Sequence, residues 1–151
     1  MITYIQNGDI FESSAQILVN PVNTVGVMGK GLALEFKKRY PDMFKTYKKI
    51  CDEKEIEPGR LYICLGKNHL ILLFPTKEHW KDSSKIEYID DGLRTFCLEL
   101  LPFLVEFAGR DIKSIAFPKL GCGNGGLDWE DVKPVMERWL NDLPIDVFIY
   151  V

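Results

Sequence analysis

Three short stretches of this chain combine glycine, amide and lysine groups in a pattern that suits an anionic, sugar-bearing ligand. The first is NPVNTVGVMGKGLALEF, residues 20 to 36, in which Gly26, Gly29 and Gly31 lead from a strand toward a helix. Backbone N–H groups of such a turn, together with a helix N-terminus, can meet a phosphate. It is not a Walker A loop, whose lysine is followed by Ser or Thr, because Gly31 follows Lys30. Asn20 and Asn23 are paired amides at a strand's carboxyl end and could hold sugar hydroxyls. Each alone could equally be a turn-forming residue.

The second stretch is FPKLGCGNGGLDW, residues 117 to 129, where Gly121, Gly123 and Gly126 satisfy G-x-G-x-x-G. A dinucleotide-binding reading fails on placement, since only 25 residues follow Gly126 and Asp146 would begin a strand. What remains is another phosphate-cradling loop, with Gly125 and Gly126 allowing close backbone approach. Two such loops at one sheet edge suit a diphosphate.

The third stretch is FPTKEHW, residues 74 to 80. Lys77, partly desolvated at a cleft, could serve as nucleophile or proton carrier, or could pair with a phosphate. His79 and Trp80 could stack on a base or line the entrance, and Trp80 would serve equally in a core. Cys122 has no base near it in sequence except a distant His79, and a Ser/His/Asp triad has no local support.

These loops need a scaffold that brings them to one edge. Thr3 to Gln6 and Gln16 to Asn20 read as strands, Leu32 to Arg39 and Phe44 to Cys51 as helices parted by Tyr40-Pro41. Leu61 to Leu65 and Leu70 to Phe74 flank Gly66-Lys67-Asn68-His69 as a hairpin. Ser84-Lys85-Ile86-Glu87 matches a capping box opening a long helix that Pro102 kinks or divides and Gly109 closes. Ile115 to Phe117 is a buried strand, Asp128 caps a helix to about Leu140, and Val147 to Val151 is a final strand. This interleaving predicts an α/β chain, a three-layer α/β/α domain around a central mixed sheet. Ligands of such sheets bind beyond the strands' carboxyl ends, which selects loops 21–31, 75–83 and 118–127.

The chain has 151 residues, 46% hydrophobic and 27% charged, which fits one soluble globular domain spanning 1–151. No apolar run approaches the ~18 residues of a membrane helix, and no signal peptide is visible, so a cytoplasmic protein is expected. The four cysteines are widely separated and only two histidines occur, which disfavours a disulfide framework or a zinc site; no metal and no cofactor are expected. The net charge of −3 argues against a simple nucleic-acid binder, yet it hides an asymmetry. Lys30 to Lys49 holds seven basic residues against two acids, while Asp128 to Asp146 holds six acids against two bases. One side alone could face a polyanion.

Taken together, Gly8-Asp9-Ile10 and the three loops resemble the macrodomain family, the ADP-ribose-binding α/β/α fold, over essentially the whole chain. Within it the motifs look most like the DNA ADP-ribosyl glycohydrolase antitoxins of bacteria (DarG type). The resemblance implies removal of ADP-ribose from thymidine bases of single-stranded DNA, as the antitoxin to a DNA ADP-ribosyltransferase. The alternatives are hydrolysis of ADP-ribose from protein carboxylates, or ADP-ribose binding without turnover. By the same resemblance Asp9 accepts from the adenine amine beside Ile10, and Asn20 and Asn23 sit at the distal ribose. Gly29, Lys30 and Gly31 wrap the diphosphate with Thr76 and with Gly121, Cys122, Gly123, Asn124, Gly125, Gly126 and Leu127. Lys77 is then the catalytic lysine, assisted by Asn20, while His79, Trp80, Lys37 and Lys38 face the DNA. A related human hydrolase carries an aspartate where this chain has Gly125, so Asp128 is expected to be structural. The resemblance also implies a bacterial, monomeric domain, excised from a longer antitoxin whose toxin-contacting part lies elsewhere.

Overall fold

A computed structural model describes all 151 residues. Apolar strands and amphipathic helices alternate as the sequence predicts. The strands are β1 (Ile2–Ile5), β2 (Ile17–Val22), β3 (Tyr62–Leu65), β4 (Leu70–Pro75), β5 (Ser114–Pro118) and β6 (Asp146–Tyr150). The helices are α1 (Gly31–Arg39), α2 (Pro41–Asp52), α3 (Ile86–Thr95), α4 (Leu101–Glu106) and α5 (Trp129–Leu140). The strands form one sheet in the order β1-β6-β5-β2-β4-β3, parallel throughout except for the edge strand β3.

Period-two alternation in the strands divides the core into two layers. Ile17, Val19, Leu72, Phe74, Ile115, Phe117, Val147 and Ile149 pack with residues of α3, α4 and α5. Leu18, Val22, Ile71, Leu73 and Ala116 pack instead against Phe36, Met43 and Tyr47 of α1 and α2. The mixed sheet covered on both faces is therefore present as expected. The outermost strand β1 has β6 as its sole partner, with Ile2 opposite Val147 and Ile5 opposite Tyr150.

Three local expectations change. β2 runs two residues further than predicted, through Pro21. Its pairing with β5 covers only Ile17 and Leu18, so the missing proline N–H interrupts no ladder on that side. Pro41 not only follows the end of α1 at Arg39 but is the first residue of α2, where its missing N–H would lack a helical partner anyway. Ser84 does not cap α3. Its backbone N–H donates to the Gly125 carbonyl at 2.8 Å, its hydroxyl is buried without a partner, and the helix starts at Ile86. Pro102 divides the long helix as expected. A π-helical turn, Phe96–Leu100, leads into α4, and the Leu101 N–H reaches back to the Phe96 carbonyl.

Candidate active site

β2 and β5 are sheet neighbours whose connections depart to opposite faces, β2 to α1 and β5 to α5. Their carboxyl ends cannot be covered by either connection, and a crevice opens between them. It is a cleft of about 710 Å³. Its walls come from the three predicted loops: Asn23, Gly29, Lys30 and Gly31; Thr76, Lys77 and Trp80; Gly121, Cys122, Gly123, Asn124 and Gly125. Lys30, Lys77 and Lys119 line it and no carboxylate does. Its field favours an anion.

The loops are locked to one another. The Lys77 Nζ donates to the Asn124 carbonyl at 3.2 Å, crossing from the third loop to the second. A Cβ added to Gly31, whose φ is +54°, would stand 2.7 Å from the Asn124 amide nitrogen, so the first and second loops also touch. Thr24 donates its N–H and its hydroxyl to the Glu78 carbonyl, at 2.8 and 3.0 Å, joining the first loop to the third. Beneath the second loop, a Cβ on Gly125 would meet the Ser84 hydroxyl at 2.4 Å. Only glycine fits between that hydroxyl and the cleft.

Burial pulls the Lys77 ammonium below the ordinary lysine value, Lys30 adds to this, and Asp82 opposes it. The amine form is thereby made more accessible than for a surface lysine. Burial also pushes the Cys122 thiol up, which keeps it protonated and a poor nucleophile.

Other predicted residues stand apart from the cleft walls. Asn20 is wholly buried on β2, its amide directed at the sulfurs of Met28 and Met43, both 3.8 Å away, and its Oδ1 has no partner. Asn23 does line the cleft, but its side chain is occupied in shaping the loop: Nδ2 donates to the Val27 carbonyl at 2.7 Å, and Oδ1 accepts from the Val25 N–H at 3.1 Å. Asp9 caps a 3-10 turn, accepting from the Phe11 N–H at 2.9 Å, and Ile10 is core. Gly126 and Leu127 close the second loop from behind, with the Leu127 N–H on the Gly121 carbonyl at 3.0 Å. Asp128 caps α5, accepting from the Glu130 N–H at 3.0 Å.

Lys37 and Lys38 lie in the last turn of α1, the end remote from the cleft. Lys37 sits 4.3 Å over the Phe44 ring and Lys38 is 3.7 Å from Glu35. His79 stands outside the cleft lining with its ring 5.5 Å from that of Trp80.

Sequence reasoning missed Tyr150, Lys119 and Ser84 as lining residues. Tyr150 and Pro118 end adjacent parallel strands, so the carboxyl-end rule that selected the loops could also have found Tyr150. Gly8 lies against the Tyr150 ring, where a Cβ would come within 3.1 Å, and this brings the Gly8-Asp9 element to that end of the cleft.

Comparison with known proteins identifies the fold. Residues 19–136 match the model of the Macro domain family. The chain belongs to the macro domain family. This macro domain is 46% identical to a DNA ADP-ribosyl glycohydrolase of Mycobacterium tuberculosis, over 99% of the chain and 42% of that protein. The chain thus spans about two fifths of the length of the curated DNA ADP-ribosyl glycohydrolases it matches. Among solved structures it superposes on the macrodomain of Mycobacterium tuberculosis DarG with a TM-score of 0.87 at 44% identity, covering 99% of this chain and 97% of that one. It is also similar to Thermosipho africanus DarTG in complex with ADP-ribose, with a TM-score of 0.82 at 41% identity, covering 99% of this chain and 41% of that one. No helix is long and apolar enough to cross a membrane.

Proposed function

We propose that this macro domain hydrolyses the glycosidic bond between ADP-ribose and a thymine base of single-stranded DNA, and so reverses the action of a DNA ADP-ribosyltransferase toxin. The observation that carries the reading is Lys77, a partly desolvated lysine standing between two glycine loops in a cleft with three cations and no carboxylate. The identity to DNA ADP-ribosyl glycohydrolases supports the substrate.

The diphosphate lies between the Gly29–Gly31 and Gly121–Gly125 backbones, facing Lys30 and Lys119. This holds the distal ribose with its anomeric carbon toward Lys77. The Lys77 amine attacks that carbon, and the bond to the thymine nitrogen breaks with its electron pair leaving on the base. The proton released from the attacking nitrogen is taken up by thymine. Water then adds to the same carbon, the lysine nitrogen departs and regains a proton, and ADP-ribose is free. Nothing in this sequence of steps calls for a metal or a cofactor. The chemistry of Asp128 is confined to its helix cap.

The test offers the protein an oligonucleotide carrying ADP-ribosyl-thymidine and, separately, a protein ADP-ribosylated on glutamate. Release from the DNA by the parent and its loss in Lys77→Ala is the expected result. Release from the glutamate alone replaces the substrate, and ADP-ribose binding without release from either makes the domain a reader.

A further inference from the structure

The cleft mouth carries one large aromatic surface, expected from the sequence to face DNA, that binding of ADP-ribose alone leaves without a role. Trp80 lines the cleft yet is 44% exposed, while the other two tryptophans, Trp129 and Trp139, pack against the core. An exposed indole at a cleft rim is a ready surface for something to cover in use. Its surroundings identify that something by charge. Lys81 Nζ stands over one face of the Trp80 ring, 5.1 Å from its centroid, and the His79 ring lies 5.5 Å away, tilted by 30°. Lys77 is three positions earlier on the same loop. The acids nearby are Glu78, whose carboxylate accepts from the Tyr88 hydroxyl at 2.6 Å, and Asp82, which acts on Lys77. An aromatic face framed by cations suits a base and its phosphate.

The rim is also held rigid, as a stacking surface must be to act without an ordering cost. Thr24 holds the Glu78 carbonyl with two hydrogen bonds. The Lys81 N–H donates to His79 Nδ1 at 3.1 Å and the Asp82 N–H to the His79 carbonyl at 3.0 Å, closing a turn around Trp80. By contrast Lys37 and Lys38, expected together with His79 and Trp80 to face the DNA, are at the far end of α1 and already engaged.

We infer that Trp80 and Lys81 form a subsite for the nucleotide flanking the modified one, with the indole stacking on its base and the ammonium pairing with its phosphate. This rests on the DNA reading above for its place in the reaction, but not for its binding. The subsite makes the domain sensitive to the strand as well as to ADP-ribose.

Two measurements test it. The first is binding of unmodified, dye-labelled oligo-thymidine by fluorescence anisotropy across a salt series. Trp80→Leu is expected to weaken binding about tenfold, Trp80→Phe to restore it to within about threefold, and Lys81→Ala to lower the salt slope by about one. Unchanged binding in Trp80→Leu overturns the subsite, and so does Trp80→Phe behaving like Trp80→Leu, which would mark a packing role. The second compares turnover of ADP-ribosyl-thymidine as nucleoside and within an oligonucleotide. Trp80→Leu should lower kcat/KM for the oligonucleotide about tenfold more than for the nucleoside, and equal losses overturn the assignment. If the parent releases ADP-ribose from neither, the glycohydrolase reading fails and the binding series alone decides the subsite.

Discussion

The Tyr47 hydroxyl lies 2.7 Å from the Asn23 Oδ1 and 2.9 Å from the Asn23 carbonyl, inside the layer between α2 and the sheet. Burial raises the Tyr47 pKa far above its usual value, so the phenol stays a neutral donor. The first ligand loop is therefore hung from a helix that never reaches the cleft. Tyr47→Phe removes one buried hydrogen bond and should cost about 1 kcal/mol of stability, read by thermal unfolding. ADP-ribose affinity should fall severalfold by calorimetry, with the catalytic rate constant at saturation nearly unchanged.

Lys77→Ala should lower turnover of ADP-ribosyl-thymidine DNA by at least about a hundredfold. The diphosphate contacts come from other residues, so free ADP-ribose should still bind within about threefold of the parent. Parallel losses of binding and turnover would assign Lys77 to the phosphate instead.

The pH profile of kcat/KM follows from the same lysine. Attack requires the amine, and burial disfavours the ammonium, so the rate should rise with pH through an inflection below 10.5, the ordinary lysine value. Asp82 opposes that shift. Asp82→Asn should consequently move the inflection to lower pH. A profile that falls over this range would make Lys77 a proton donor.

Gly125→Ala should empty the cleft without unfolding the domain. The added methyl meets the Ser84 hydroxyl and stands 3.0 Å from the Ser84 Cβ, so the hydroxyl must turn away and the second loop must lift from its position to clear the Cβ. Loss of ADP-ribose affinity with a small change in Tm is the expected signature. Pairing it with Ser84→Gly should restore much of the affinity, because the two positions contest one space.

Asp128→Ala should cost about 1 kcal/mol, the usual value of a helix N-cap, and leave turnover unchanged. Lost turnover with an intact fold would return this aspartate to the chemistry.

The cleft was legible in the sequence because its glycines and its lysine follow strands, and strand ends are visible as apolar runs stopping at proline or glycine. What each polar side chain does was less so. Asn20 and Asn23 read alike as amides at a strand end, yet one is buried beside two methionine sulfurs and the other is held by Tyr47, a residue of α2. Ser84 matches the local pattern of a capping box, but a contact with Gly125, distant in sequence, takes its N–H and leaves the hydroxyl beneath the loop. For Ser84 a tertiary partner outcompetes the local one, while Asn23 keeps its local bonds to Val25 and Val27 and gains Tyr47 besides; no short window of neighbouring residues contains Gly125 or Tyr47.

The pairing of β1 with β6 alone gives the order of assembly a fixed end point. Ile2 has no strand to join until Val147 has been synthesised, and the four strands β2 to β5 can be complete well before that. Of the strands of this domain, the first to be made is thus the last to be seated, and the slow, long-range step of folding is the docking of an edge. A chain shortened before Asp146 would leave β1 without a neighbour and β5 with one side of its ladder open.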